Sequence, residues 1–326
     1  MPAAIADNKF ASHRIPAWHG LGVVFEENIT DFLVMLETAG MLNLSIESIP
    51  ATLGDAEFLK PTNHIVWTKD DGTKVVLGTV GKNYDIITLE SSFAFLQNLH
   101  DGASWETAGL INGGAVAFGS IAYDHEIVLD PEGVADVVKT YILMSTSFDG
   151  SKSLVAGMTP VRVVCANTLG IALSGGLKSQ IKIRHTRNHG DRMAEQTALW
   201  RGANQYFDAF EAEAKALYSQ SVNDKQFNDI IAAAFPKPDK DASKIAVTKY
   251  DNLVGKNTQA WKMEANAGIR GTGWGAFNAL TEANQWFRNV RQGEKGAESF
   301  YAAGAGFDDV TNRFRQNALA VVKAFA

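Results

Sequence analysis

The stretch His64-Ile65-Val66-Trp67-Thr68-Lys69-Asp70-Asp71-Gly72-Thr73-Lys74-Val75-Val76-Leu77-Gly78-Thr79-Val80 decides the fold class. Two runs rich in β-branched and aromatic residues, His64 to Lys69 and Lys74 to Val80, flank Asp70-Asp71-Gly72-Thr73. Asp-Gly between β-formers is among the strongest local hairpin signals, because glycine supplies the positive φ that the turn requires. Just beyond it, Leu89 to Leu99 repeats Phe93, Leu96 and Leu99 at helical spacing and completes a strand, strand, helix unit.

Working outward, the same grammar recurs. Trp105 to Ile111 and Ala115 to Tyr123 flank Asn112-Gly113-Gly114, and Tyr141 to Thr146 and Ser153 to Met158 flank Phe148-Asp149-Gly150-Ser151. Pro160 to Leu173 reads as the helix after this third hairpin, with proline at its first turn. Gln180 to His185 alternates Ile181 and Ile183 against Lys182 and Arg184, the period of a half-exposed strand. Toward the N-terminus, Thr30 to Gly40 reads as a helix, preceded by an irregular arm through Trp18-His19-Gly20-Leu21-Gly22. Hairpins in series followed by helices imply an α+β fold, an antiparallel sheet with helices on one face.

From about Asp191 the character changes. Asp191 to Ser219, Val222 to Phe235, Thr281 to Arg291 and Asp308 to Phe325 carry helical patterns, with a break at Pro236-Lys237-Pro238-Asp239. The expected organisation is a sheet core with its N-terminal arm over residues 1–190 and a mainly helical lobe over residues 191–326, packed on the core.

The 326 residues include 30 Lys and Arg against 36 Asp and Glu, a formal net charge of −6, with 46% apolar residues. That describes a soluble globular chain, and any nucleic-acid binding must come from a local stripe or from oligomerisation that aligns several stripes. The single cysteine, Cys165, excludes an internal disulfide and fits a reducing compartment. Neither a signal-peptide core nor an apolar run of about 18 residues is present, so a cytoplasmic protein with no membrane partner is expected.

Against the acidic balance, Lys178, Lys182, Arg184, Arg187 and Arg192 face one acid, Asp191, within fifteen residues. Such a local reversal of sign marks a candidate anion-binding surface, although solvated faces also carry it. Arg162 in Thr159-Pro160-Val161-Arg162-Val163-Val164-Cys165-Ala166-Asn167-Thr168-Leu169 joins the set if a helix begins there, since helix N-termini favour anions. Lys82 and Tyr84 after the first hairpin pair a cation with a ring on which a base could stack.

Cys165 reads either as apolar packing or as a nucleophile with His19 or His185 as base. His185 and His189 are four apart, but no further ligand completes a metal set, and neither metal nor cofactor is expected. Trp18 reads as packing or as a docking anchor. Gly271-Thr272-Gly273-Trp274-Gly275 lacks the Gly-Lys-Ser/Thr ending of a phosphate loop and reads as a closely packed helix start anchored by Trp274 and Phe277.

Several of these segments resemble the phage/plasmid-like protein family, a domain of unknown function. They are Pro16 to Gly22, Val80-Gly81-Lys82-Asn83-Tyr84, Phe148 to Ser151, Arg162 to Leu169, Arg184-His185-Thr186 and Gly271 to Asn278. The resemblance implies a non-structural protein of a phage or plasmid made in a bacterial host, and the family supplies no catalytic residues. The strand, strand, helix units are also similar to the Rad52-like annealing superfamily, a likeness at the level of fold.

Together these readings lead to a non-enzymatic, oligomeric protein that binds or anneals single-stranded DNA in recombination or replication. Arg162, Lys178, Lys182, Arg184, Arg187, Arg192 and Lys82 would contact phosphates, and Tyr84 would stack. Two alternatives stay open: an interaction protein that blocks or redirects a host defence or replication factor, with a host or phage protein as its partner, and a nuclease or thiol-dependent hydrolase.

Overall fold

The computed structural model describes residues 5–14, 20–40, 43–49, 52–53, 56–57, 61–100, 102–130, 132–162, 167–168, 180–200, 203–287 and 309–325. Its strands are β1 (Ile5–His13), β2 (Val23–Phe25), β3 (Asn43–Ile49), β4 (Thr52–Leu53), β5 (Ala56–Glu57), β6 (Thr62–Thr68), β7 (Lys74–Val80), β8 (Trp105–Ile111), β9 (Val116–Leu129), β10 (Asp136–Ser147), β11 (Leu154–Arg162), β12 (Asn167–Thr168) and β13 (Gln180–Ile183). Its helices are α1 (Phe32–Ala39), α2 (Leu89–Gln97), α3 (His189–Leu199), α4 (Ala203–Tyr218), α5 (Asp224–Ala234), α6 (Lys244–Lys262), α7 (Gly273–Trp286) and α8 (Asp309–Ala324).

An eight-stranded sheet runs β12-β11-β10-β9-β8-β1-β2, with β13 also paired to β11. Its middle is a meander, β8 through β11, made by the second and third hairpins at the turns their glycines specify and, between them, by a longer hairpin of β9 and β10, turning between Leu129 and Asp136, that the sequence reading did not locate. The described pairings are antiparallel except that of β1 with β2. That parallel contact depends on Gly22, whose φ is +84° and where a Cβ would sit 2.1 Å from the Phe10 carbonyl oxygen. The first hairpin, β6 and β7, joins β3 in a separate three-stranded sheet. Two short strands, β4 and β5, pair with each other.

Helices α1 and α2 cover one face of the large sheet, α1 over β1 and β8, α2 over β9 and β10. Each starts as its sequence dictates, with Asp31 capping α1 through the Leu33 amide and Thr88 capping α2 through the Ser91 amide. Leu36, Phe93 and Leu96 meet Trp105, Ala117, Ile121 and Ile142 in a continuous core. The fit is close: a methyl group on Gly119 would lie 2.9 Å from the Trp105 ring.

A second core gathers α4 to α8 around α7, whose residues are buried apart from half-exposed Asn284 and Trp286. Here Thr272 caps α7 through the Gly275 amide, and a Cβ on Gly275 would lie 2.3 Å from the Ile269 carbonyl oxygen. The glycine-rich segment is therefore the closely packed helix start expected of it. Ile127, Leu129 and Val138, at the far ends of β9 and β10, belong to this second core. Trp274 donates from its indole nitrogen to Asp136 at 2.9 Å, and Tyr218 donates to Asp130 at 2.9 Å. The longest hairpin of the sheet thus reaches into the helical layer.

Four expectations need correction. Residues 160–162 continue β11 and residues 167–168 form β12, where the sequence suggested a helix from Pro160. Proline pushes the preceding residue to extended backbone, and Val161 favours it as well. Pro160 is in register with Thr140 of β10, and on the other edge of β11 neither β12 nor β13 is in register with it. Residues 5–13 are no irregular arm but a strand inside the sheet, bulged where Asp7 and Asn8 take positive φ. The helical pattern from Asp191 to Ser219 is two helices, α3 and α4, with the poor helix former Gly202 in the sequence between them. The strand, strand, helix unit around the first hairpin is split, since β6 and β7 pair with β3 while α2 packs on the large sheet.

Candidate nucleic-acid interface

Strand β13 lies along β11 with Lys182 opposite Val155 and Ile183 opposite Leu154. Ile181 and Ile183 are buried in the core while Gln180, Lys182 and Arg184 are exposed, the alternation that the sequence implies. After the strand the chain turns through Thr186 into α3, leaving Arg187 and Arg192 exposed. Arg192 pairs with Glu195 at 3.3 Å on the same helix. Lys182, Arg184 and Arg187 form no ion pair with a described residue.

The segment after β7 docks against this turn. Tyr84 bridges Thr186, and the Asp85 amide donates to the His185 carbonyl at 3.1 Å. Lys82 is exposed at its tip. The pin holding the two segments together is His185, 5% exposed. Its Nδ1 accepts from the Ile87 amide at 3.3 Å, and its Nε2 lies 3.1 Å from the Thr146 hydroxyl. Tyr84 stacks on the imidazole at 5.0 Å with ring planes 8° apart. Burial, reinforced by the neighbouring His189 and opposed by Asp85, lowers the His185 pKa to about 4, so the ring is neutral and buttresses the turn.

Tyr84 is half-buried and donates to the Ser147 carbonyl at 3.3 Å. Burial and the nearby Asp149 push its phenol well above the ordinary tyrosine range. One face of the ring is occupied by His185, which leaves a base only the other.

Arg162 ends β11, opposite Val138 and Asn167. It stands seven residues along the strand from Val155, the partner of Lys182, which is about 23 Å of extended chain. The backbone therefore separates Arg162 from the β13 group, and the extended conformation removes the helix N-terminus that recommended it. Lys178, Cys165, Trp18 and His19 lie outside the described residues.

Lys152, missed in the sequence, is exposed in the turn between β10 and β11, two residues before the Leu154–Ile183 pair, and so stands at the Arg184 end of the sheet. Its signal was available, since a lysine flanking a hairpin turn is solvated on whichever side the strands face. What was missing was the pairing of β11 with β13.

His189 Nε2 faces Asp85 at 3.5 Å, and among the described residues no group of three or more His, Cys, Asp or Glu is placed to hold a metal. No described helix is long and apolar enough to cross a membrane. Fold and surface together define an α+β protein with a cationic turn at one end of an antiparallel sheet. The chain belongs to the family described as Domain of unknown function (DUF932), whose model matches residues 76–303, from β7 to beyond α7. Neither a curated protein nor a solved structure matches the chain.

Proposed function

We propose that the end of the sheet formed by Lys82, Lys182, Arg184 and Arg187 binds the phosphates of a single-stranded nucleic acid. The observation that carries this reading is that four exposed cations without an acidic partner among the described residues come from two segments pinned together by the Tyr84–His185 stack. An exposed cation already paired with a carboxylate gains little from a phosphate, whereas an unpaired one gains the release of condensed counterions. Side chains anchored on a strand and a braced turn also lose less freedom on binding than side chains on a loose loop.

A phage or plasmid setting, a bacterial cytoplasm, strand annealing and assembly into an oligomer belong to the same reading. Oligomerisation suits an acidic chain of net charge −6, because copies in series join short basic ends into one track. The test is oligonucleotide binding across a salt series. Four neutralised phosphates give a slope of about −2.8 in log K against log salt for a single strand. Absence of binding at low salt rejects the reading.

A second reading, a surface for a host or phage protein, is favoured by exposed Leu21, Val23 and Val24 at the β2 edge, close in sequence to exposed Leu33 and Val34 of α1. It predicts that Val24→Glu abolishes association with a protein partner while oligonucleotide binding is unchanged.

A further inference from the structure

Helix α6 meets the helical layer on one narrow side. From Lys244 to Gly255 only Ala246, Tyr250, Leu253 and Val254 are half-buried, and every other residue is exposed. At about 100° per residue these four fall in one sector of roughly 100°, so more than half of the circumference is in solvent over about 18 Å of helix. Two apolar side chains stand in that solvent sector, Ile245 at 70% exposure and Val247 at 42%.

The charge of α6 is one-sided. Lys244, Lys249, Lys256 and Lys262 share the helix with a single acid, Asp251, in a chain of net charge −6. Asp251 stands neither three nor four residues from any of them, and none of the four lysines has an ion-pair or hydrogen-bond partner among the described residues. Lys249 and Lys256 are two turns apart on one flank, about 10 Å along the axis. Beside them run Thr248, Asn252 and Gln259, exposed and with side chains equally without a partner among the described residues.

Gly255 lies in the middle of this polar stripe, in a 19-residue helix. Glycine is the poorest helix former after proline, and packing does not require it here, since a Cβ would meet nothing within 4 Å. At an exposed position, the use left for a missing side chain is to let a ligand approach the helix backbone closely.

We infer that α6 enters the major groove of double-stranded DNA. The groove is about 12 Å wide and admits a helix of about 10–12 Å diameter. It is concave and walled by phosphates, so it meets a helix on several sides at once. A flat protein surface would touch one stripe and leave the lysines unpaired, and a membrane surface asks for a continuous apolar face that the solvent sector lacks. Lys249 and Lys256 face the phosphates of one wall, and Gly255 lets the floor come close. Asn252 and Gln259 carry the amides that pair with adenine, Asp251 can accept from cytosine, and Ile245 suits a thymine methyl. Double-stranded RNA has a deep, narrow major groove that side chains do not read. The inference is independent of the single-strand reading of the basic end of the sheet.

Fluorescence anisotropy of a labelled duplex DNA with the full chain tests it, beside duplex RNA and single-stranded DNA of the same sequence. Duplex DNA is expected to bind at least tenfold more tightly than duplex RNA. The double variant Lys249→Gln, Lys256→Gln should weaken duplex binding at least tenfold at low salt and reduce the slope of log K against log salt by about 1.8 in magnitude. Gly255→Leu should weaken duplex binding at least tenfold while raising Tm, a combination that a folding defect does not produce. Single-strand binding should be unchanged in these variants, and duplex binding unchanged in Lys182→Ala, Arg184→Ala, which separates failure here from failure at the basic end. No duplex DNA binding at low salt, duplex RNA bound as tightly as duplex DNA, or unaltered duplex affinity in Gly255→Leu would overturn the inference.

Discussion

The sheet layer and the helical layer solve the problem of burial in different ways. In the sheet, polar and apolar residues alternate along strands joined by short turns, and the core is apolar side chains from α1, α2 and the sheet, joined by Ile65 of β6 and by Tyr206 and Phe207 of α4. In the helical layer, α7 is buried almost all round and carries Asn278, Thr281, Glu282 and Gln285 inside. Asn278 and Thr281 are satisfied within the helix, donating to the Trp274 carbonyl at 2.9 Å and to that of Phe277 at 3.0 Å, while Glu282 accepts from Asn266 outside it at 2.7 Å. A strand declares its buried face by period two, whereas a helix buried on every side declares none.

The contrast can be broken most forcefully at its seam. Trp274 and Trp105 are both fully buried, one in each core, and either change to alanine should cost about 3–5 kcal/mol. Because β9 and β10 contribute Ile127, Leu129 and Val138 to the helical core, both variants are expected to lower one common urea transition, followed by tryptophan fluorescence and by circular dichroism. Two separate midpoints would show that the layers unfold independently.

The next effect is confined to the sheet layer. His185 has its pKa lowered from 6.5 to about 4 on folding, so below pH 6.5 the unfolded chain binds the extra proton. Stability from this group is complete above pH 6.5 and is lost as pH falls toward 4, a loss on the order of 3 kcal/mol. Denaturant midpoints for His185→Gln should be lower at pH 7 yet flatter than wild type between pH 6.5 and 4. An unchanged slope would show that other groups carry the acid sensitivity.

Smaller effects compare the helix starts. Removing the reciprocal cap of α5 with Asn223→Ala should cost about 1 kcal/mol, and Thr88→Ala at α2 a similar amount. Thermal denaturation reads both, and a loss several times larger at one site would mean that its side chain carries more than a cap.

The same contrast explains what was legible in the sequence. Asp-Gly, Asn-Gly-Gly and Asp-Gly-Ser turns located three hairpins, and alternation placed Lys182 and Arg184 on the exposed side of β13, since both signals are local. Strand β1 was hidden because Asp7 and Asn8 interrupt its pattern at a bulge, and its place beside β8 rests on pairing about a hundred residues away. Helix α6 was hidden because Gly255 and scattered polar residues blur its apolar stripe. Lys82, Lys152 and Arg184 stand at one end of the sheet through long-range docking that no single segment announces. Tyr84 was chosen for its neighbours in sequence, but its ring is partly engaged by His185, a contact visible only once the two segments meet.

The most direct measurement of the central claim is the salt dependence of single-stranded oligonucleotide binding by wild type and by the double variant Lys182→Ala, Arg184→Ala. Both residues are exposed, so the variant should keep wild-type stability within about 0.5 kcal/mol. The account predicts a wild-type slope near −2.8, reduced in magnitude by about 1.4 in the variant, with weaker binding at every salt concentration. Equal slopes and affinities for the two proteins, or no binding by wild type at low salt, would contradict it.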